Sequence, residues 1–230
     1  MGMRIPKGFS DRFYSMIETL FEEIDQESIR EEVRKLREAY PRESRKRLAR
    51  RLSRKAAFRV AAIGAAAGAA GGAFALLALG PDIFALVREQ SRLILAIAFL
   101  YGREPRLPER FREVLAVLAV STGATAAREG ASYLLAKGLE EELPKKLIRK
   151  IAGKFVARSL PEIAPVIGSV VGAAINALAV KGVEKAAVAY YSRALIQDND
   201  RASSARRRMA RLVVAGKERR TRTGEPAKKR

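Results

Sequence analysis

The chain has 230 residues, with 45 Lys and Arg against 25 Asp and Glu for a formal charge of +20, no Cys, His or Trp, and only 7% aromatic residues. That length suits one or two domains with room for a core. The missing residue types exclude disulfides, thiolate or imidazole zinc sites, a catalytic Cys, a Ser-His-Asp triad and a histidine pH switch.

No strand-like alternation persists, so the periodicity predicts an all-α, multi-helix bundle of seven or eight helices. Phe13, Ile17, Leu20 and Ile24 recur at helical spacing and mark a first amphipathic helix from about Ser10. Ser28 stands three residues before Glu31, a capping-box pattern predicting the start of a second helix whose apolar face is Ile29, Val33, Leu36 and Tyr40, with Pro41 ending it. A third helix begins after Ser44 and continues into an apolar stretch. Gly80-Pro81-Asp82 reads as a hairpin turn with Asp82 capping a return helix from Ile83 to Tyr101. Gly102 to Pro108 reads as a loop. The helix after it uses Phe111, Val114, Leu115 and Leu118 and is expected to bend near Gly123. Pro144 interrupts the pattern, Leu147, Ile151 and Phe155 resume it, and Pro161 and Pro165 introduce a last apolar helix through Tyr190 and Tyr191. Residues 199–230 read as a basic, largely disordered tail. The first residues lack the basic start and apolar core of a cleavable signal.

The charge is concentrated in two blocks. Residues 42–59 hold nine Lys or Arg against one Glu, and residues 206–230 hold eleven against two. In the first block Arg47, Arg50, Arg51, Arg54 and Lys55 take one broad side of a helix, with Leu48, Leu52 and Ala56 on another. Arg45, Lys46, Arg47, Arg50, Arg51, Arg54 and Lys55, together with Arg206, Arg207, Arg208 and Arg211 of the tail, are the candidates for binding an anionic surface. A solvated helix face, attraction to anionic lipid at about 1 kcal/mol per nearby cation, and nucleic-acid binding all compete for these residues. The blocks offer only Phe58 for stacking on bases, which places nucleic acid last of the three.

Two stretches carry no charge, Val60 to Gly80 and Ile163 to Val180. The first has 21 residues, of which ten are Ala and five Gly. Its six strongly apolar residues favour insertion into a bilayer by only about 2–4 kcal/mol, so an independent span is marginal. Gly64, Gly68 and Gly72 repeat every four residues, and Gly168, Gly172 and Asn176 repeat that spacing later. Glycines so placed let another helix approach closely. Tight packing inside a soluble bundle and a membrane-inserted hairpin both satisfy this pattern.

Three blocks resemble the EcsC protein family: IREEVRKLREAYPRESRKRLARRLSRKAAFRVAAIGAAAGAA from Ile29, PDIFALVREQSRLILAIAFLYG from Pro81, and IAPVIGSVVGAAINALAVKGVEKAAVAYY from Ile163. They lie in the family's order over residues 29–191. Residues 1–28, 103–162 and the tail after Tyr191 contribute nothing to the resemblance. With the periodicity and composition it divides the chain into N-terminal amphipathic helices over 1–41, an EcsC-like helical domain over 42–198 and a basic tail over 199–230. The resemblance itself implies a link to membranes and no assigned reaction.

Reaction chemistry is thin. Gly64 to Gly72 lacks the Lys-Ser/Thr of a phosphate-binding loop. No His serves Ser132 or Ser169 as a base. Consecutive Glu140, Glu141 and Glu142 diverge by about 100° each on a helix and hold no metal alone. Arg88 and Arg92 share a helix face and read as structural ion-pair candidates for Glu129 or Glu162. The sequence therefore favours a non-enzymatic accessory protein on the cytoplasmic face of a membrane, or in the cytoplasm, with no cofactor. Its expected partners are an anionic membrane surface and a membrane protein. A soluble bundle binding nucleic acid or an acidic protein is the alternative, and a carboxylate hydrolase is a third class.

Overall fold

The computed structural model describes residues 9–69, 79–104, 107–123, 148–151, 177–196, 200, 203–205 and 208–209. Every regular element among them is an α-helix, so the fold is an all-α bundle. The helices are α1 (Phe9–Glu23), α2 (Gln26–Ala39), α3 (Arg45–Ala69), α4 (Leu79–Leu100), α5 (Leu107–Ser121) and α6 (177–196). Residues 148–151 form a further helical stretch with Ile148 and Ile151 buried.

The centre is α4. Each residue from Leu93 to Tyr101 is buried, whichever face of the helix it occupies. Burial all round means neighbours on every side, and α4 packs against α1, α2, α3 and α5. Three of those neighbours each offer one apolar stripe, Ile17 and Leu20 from α1, Ile29, Val33 and Leu36 from α2, and Leu48, Leu52 and Ala56 from α3, whereas α5 is itself buried on every face from Glu113 to Ala119. Phe21 meets Phe111 of α5 edge to face at 5.3 Å. The described core is thus rich in Leu, Ile and Ala, while residues 70–78 and 163–176 of the two uncharged stretches lie outside the described residues.

Helix boundaries differ from the sequence expectation at three places. The α2 helix starts one turn early: Asp25 is its N-cap and its carboxylate accepts the Ser28 amide at 3.0 Å. Asp is as good a cap as Ser and comes first after α1, so Ser28 becomes the third helical residue. Gly80, Pro81 and Asp82 lie inside the first turn of α4 rather than in a hairpin, and Asp82 is not the residue preceding the helix. A proline is tolerated there because first-turn amides have no intrahelical acceptor to lose. Gly123 ends α5 instead of bending it, in the left-handed conformation at φ 68° with its amide on the Val120 carbonyl.

The end of α4 follows from Gly102, which sits at φ 78°. Its amide donates to the Phe99 carbonyl at 3.0 Å, and the next amide, of Arg103, reaches back to Ala98 at 2.9 Å. This pair of bonds is the Schellman closure, which needs a left-handed residue at that point. The Arg37 guanidinium of α2 donates to the Phe99 and Leu100 carbonyls, placing a cation on the negative end of the α4 dipole.

The chain divides into two compact units, residues 1–191 and 192–230. In the second, residues 192–196, 200, 203–205 and 208–209 are described and helical, and Ser203 Oγ donates to the Asp200 carbonyl at 2.9 Å. The remainder of the expected tail lies outside the described residues. Among the described residues, no helix is long and apolar enough to cross a membrane.

Candidate anion-binding surface

The basic block of residues 42–59 forms the turn before α3 and the first half of that helix. Residues four apart on a helix form an inclined ridge, so α3 carries two basic ridges offset by one residue, about 100° around the axis. The ridges are Arg51, Lys55 and Arg59, and Lys46, Arg50 and Arg54.

The first ridge is neutralised from within the bundle. Arg51 grips Glu43 through two nitrogens at 2.6 and 2.9 Å and lies 3.7 Å over the Tyr40 ring. Lys55 approaches Glu32 at 3.6 Å, and Glu32 also receives Arg92 at 3.3 Å from α4. Arg59 pairs with Glu89 at 2.6 Å. Hydrogen bonds from Arg51 hold the Glu43 carboxyl below its usual range, and the same contact raises the Arg51 pKa. These acids come from the α2–α3 turn, α2 and α4, so the pairs staple α3 to the elements beside it.

The second ridge is uncompensated. Lys46, Arg50 and Arg54 are exposed and make no ion pair among the described residues. Among the described residues, three of the nine cations in the block form ion pairs and six do not. Of these six, Arg45 lies 5.8 Å over the Tyr101 ring, while Arg47 faces solvent beside Glu43 without a bridge. The ridge continues one turn further to Phe58, which is 79% exposed. Across from it, α6 presents Lys181 and Lys185, exposed and likewise without ion pairs among the described residues, beginning one turn after the 66% exposed Leu178. The α3 ridge and this part of α6 enclose a groove of about 640 Å³.

A family model described as the EcsC protein family matches residues 1–195. The chain belongs to the EcsC protein family. The match is wider than the resemblance in three sequence blocks, since it includes residues 1–28, 103–162 and 192–195. No curated protein and no solved structure matches the chain. Both ridges, the paired acids and the groove therefore lie within the EcsC-matched range.

Other candidates distribute as follows in this EcsC chain. Arg92 donates to Ser28 Oγ and Glu32, both on α2, at 3.3 Å, whereas Arg88 is exposed and makes no ion pair among the described residues. Glu129 and Glu162, the partners expected for them, lie outside the described residues. Gly64 and Gly68 fall within α3, while Gly72, Gly168, Gly172 and Asn176 lie outside the described residues, as do Arg206, Arg207 and Arg211. Arg208 is exposed. Sequence reasoning missed Glu32, Glu43 and Glu89 as the acids that divide the basic block, because they stand up to 30 residues from the cations they neutralise. It also missed Lys181 and Lys185, whose four-residue spacing was the available signal.

A buried polar group joins α5 and α6. Glu113 accepts from Arg103 at 3.3 Å and from the Tyr190 hydroxyl at 3.5 Å, and Tyr190 meets Tyr191 edge to face at 4.8 Å. Burial and the nearby Glu113 charge push the Tyr191 hydroxyl well above its ordinary value, so it stays protonated. Among the described residues no three acidic side chains converge to hold a metal ion.

Proposed function

We propose that this EcsC-family protein is a membrane-associated accessory protein that docks on the anionic cytoplasmic leaflet through the uncompensated ridge of α3. The observation that carries the reading is the order Lys46, Arg50, Arg54, Phe58 along one exposed ridge, three unpaired cations leading to an exposed aromatic ring. Each cation near a charged leaflet contributes about 1 kcal/mol, and the phenyl ring adds about 2 kcal/mol when it enters the headgroup boundary. Leu178 beside Lys181 repeats the pairing of an exposed apolar side chain with cations on α6. Amphipathic helices that lie on membranes combine these two elements. The Gly-spaced segments and the tail of residues 206–230 belong to the same reading as packing or inserting helices and as a second cationic contact.

The test uses the absence of Trp from the chain. A Phe58→Trp variant carries a single indole on the ridge. Its emission is expected to shift to the blue with anionic vesicles, to be quenched by lipids brominated in the upper acyl chain, and to stay unchanged with zwitterionic vesicles. An unshifted emission on anionic vesicles refutes docking through this ridge. Quenching by single-stranded RNA with no response to brominated lipid transfers the surface to nucleic acid.

A further inference from the structure

The groove between α3 and α6 gathers charge from two helices. Lys46, Arg50 and Arg54 form one side, Lys181 and Lys185 the other, with Glu184 among them, and none of the six makes an ion pair among the described residues. Five like charges around one cavity repel each other, and among the described residues Glu184 is the one acid that lines it, without the close pairing that Glu32, Glu43 and Glu89 give the neighbouring ridge. The net charge of the groove is strongly positive and attracts an anion.

The spacing limits what that anion is. Successive ridge positions rise about 6 Å, so Lys46 to Arg54 extends about 12 Å along α3. A single phosphate meets one or two such positions, and a second phosphate is needed to satisfy both ends. The groove volume of about 640 Å³ is that of a site for a small organic ligand and leaves room for a linker between them. Arg50 and Arg54 supply the flat forks that bind phosphate through two nitrogens, and the lysines act as point charges. Glu184 adds the remaining restriction. A carboxylate repels phosphate but accepts a hydrogen bond, and a hydroxyl on the linker is a donor that suits it.

We propose that the α3–α6 groove binds a glycerol-bridged bisphosphate, with the two phosphates on the cations and the central hydroxyl donating to Glu184. This rests on the membrane reading for its lipid source, a headgroup of two phosphates bridged by glycerol. The free bisphosphate is the soluble source of the same chemistry.

Two arms test it on the full chain. In the first, calorimetric titration compares glycerol bisphosphate with glycerol monophosphate. The bisphosphate is expected to bind at least about tenfold more tightly, and Arg50→Gln/Lys181→Gln to remove that margin, since each charge-assisted contact is worth about tenfold. Arg42→Gln/Arg47→Gln removes equal charge outside the groove and is expected to keep the margin. In the second arm, vesicles of phosphatidylcholine with cardiolipin are compared with vesicles of matched surface charge containing phosphatidylglycerol. Cardiolipin preference retained by the Arg42/Arg47 variant and lost by the Arg50/Lys181 variant supports the lipid source. Free bisphosphate binding without attachment to either vesicle supports the groove with a soluble ligand and overturns the membrane reading. Attachment to both vesicles without preference, and no binding of free bisphosphate, overturns the groove proposal while leaving the membrane reading in place. All substituted side chains are exposed, and Gln is a good helix former, so the fold is not at stake.

Discussion

The two ridges of α3 permit an internal control that alters the same number of charges on the same helix. Arg50→Gln/Arg54→Gln removes two unpaired cations, whereas Lys55→Gln/Arg59→Gln removes two that face Glu32 and Glu89 at 3.6 and 2.6 Å. Two cations beside an anionic leaflet are worth about 2 kcal/mol, so the first variant is expected to lose roughly thirtyfold in partitioning onto anionic vesicles. Its thermal stability is expected to hold or rise slightly, since like-charge repulsion along the ridge is relieved. The second variant breaks two partly exposed ion pairs worth about 0.2–1 kcal/mol each. At a total of about 1 kcal/mol, its melting temperature is expected to fall by about 2–4 °C. Its vesicle binding is expected to fall by much less than thirtyfold, because those cations already sit beside carboxylates. They also lie about 100° around the helix from the docking ridge, where salt screening weakens their pull on the leaflet. Vesicle sedimentation read against circular-dichroism melting separates the two quantities. Equal loss of binding in both variants with unchanged melting would mean that only total charge matters and that the division into ridges has no functional content.

Three further outcomes test the fold beneath the surface. Leu95 is fully buried in α4, so Leu95→Ala is expected to cost about 2–5 kcal/mol in chemical denaturation, and a cost below about 1 kcal/mol would displace α4 from the centre. Gly102→Ala meets no atom within 4 Å, so its expected cost of about 1–2 kcal/mol comes only from the left-handed backbone, and an unchanged stability would contradict the Schellman closure. Glu31 is held down to about 2 from an ordinary 4.5 by the Arg34 hydrogen bonds at 2.6 and 2.7 Å. A depressed carboxylate adds stability above its unfolded pKa and loses it as pH falls, so its share disappears between about 4.5 and about 2. Arg34→Gln is expected to return the Glu31 titration, followed by NMR, to the ordinary carboxylate range.

Much of the architecture was legible because it depends on local order. The stripe of Ile29, Val33 and Leu36 is a period that only a helix turns to one side, and those residues are buried. The long apolar run from Leu93 to Leu100 marked a helix, but its central place did not follow from periodicity, since a run apolar all round shows burial and not which neighbours supply it. Boundaries failed where two local signals competed. Asp25 and Ser28 are equally good caps three residues apart, and only the end of α1 decides between them. Gly80-Pro81 is both a turn signal and an acceptable first helical turn, and the chain takes the second option.

The candidate surface was legible as composition and not as arrangement. Sequence displays nine cations between residues 42 and 59, and a helical projection resolves them into ridges. What it cannot supply is where the acids lie, because Glu32 and Glu89 reach α3 only after α2 and α4 have packed against it. Packing therefore determines which part of a formal charge remains available to a partner. The same holds at the end of α4, where Arg37 caps carbonyls, Arg30 lies 5.0 Å over Phe99 and Arg45 covers Tyr101, so these arginines serve the fold. A charge of +20 spread evenly would attract any polyanion without preference. Once internal acids, helix carbonyls and rings have engaged their share, the uncompensated charge that shares a groove is Lys46, Arg50 and Arg54 facing Lys181 and Lys185. Preference for one anion over another can arise there, since selectivity requires cations fixed at a spacing that a ligand must match.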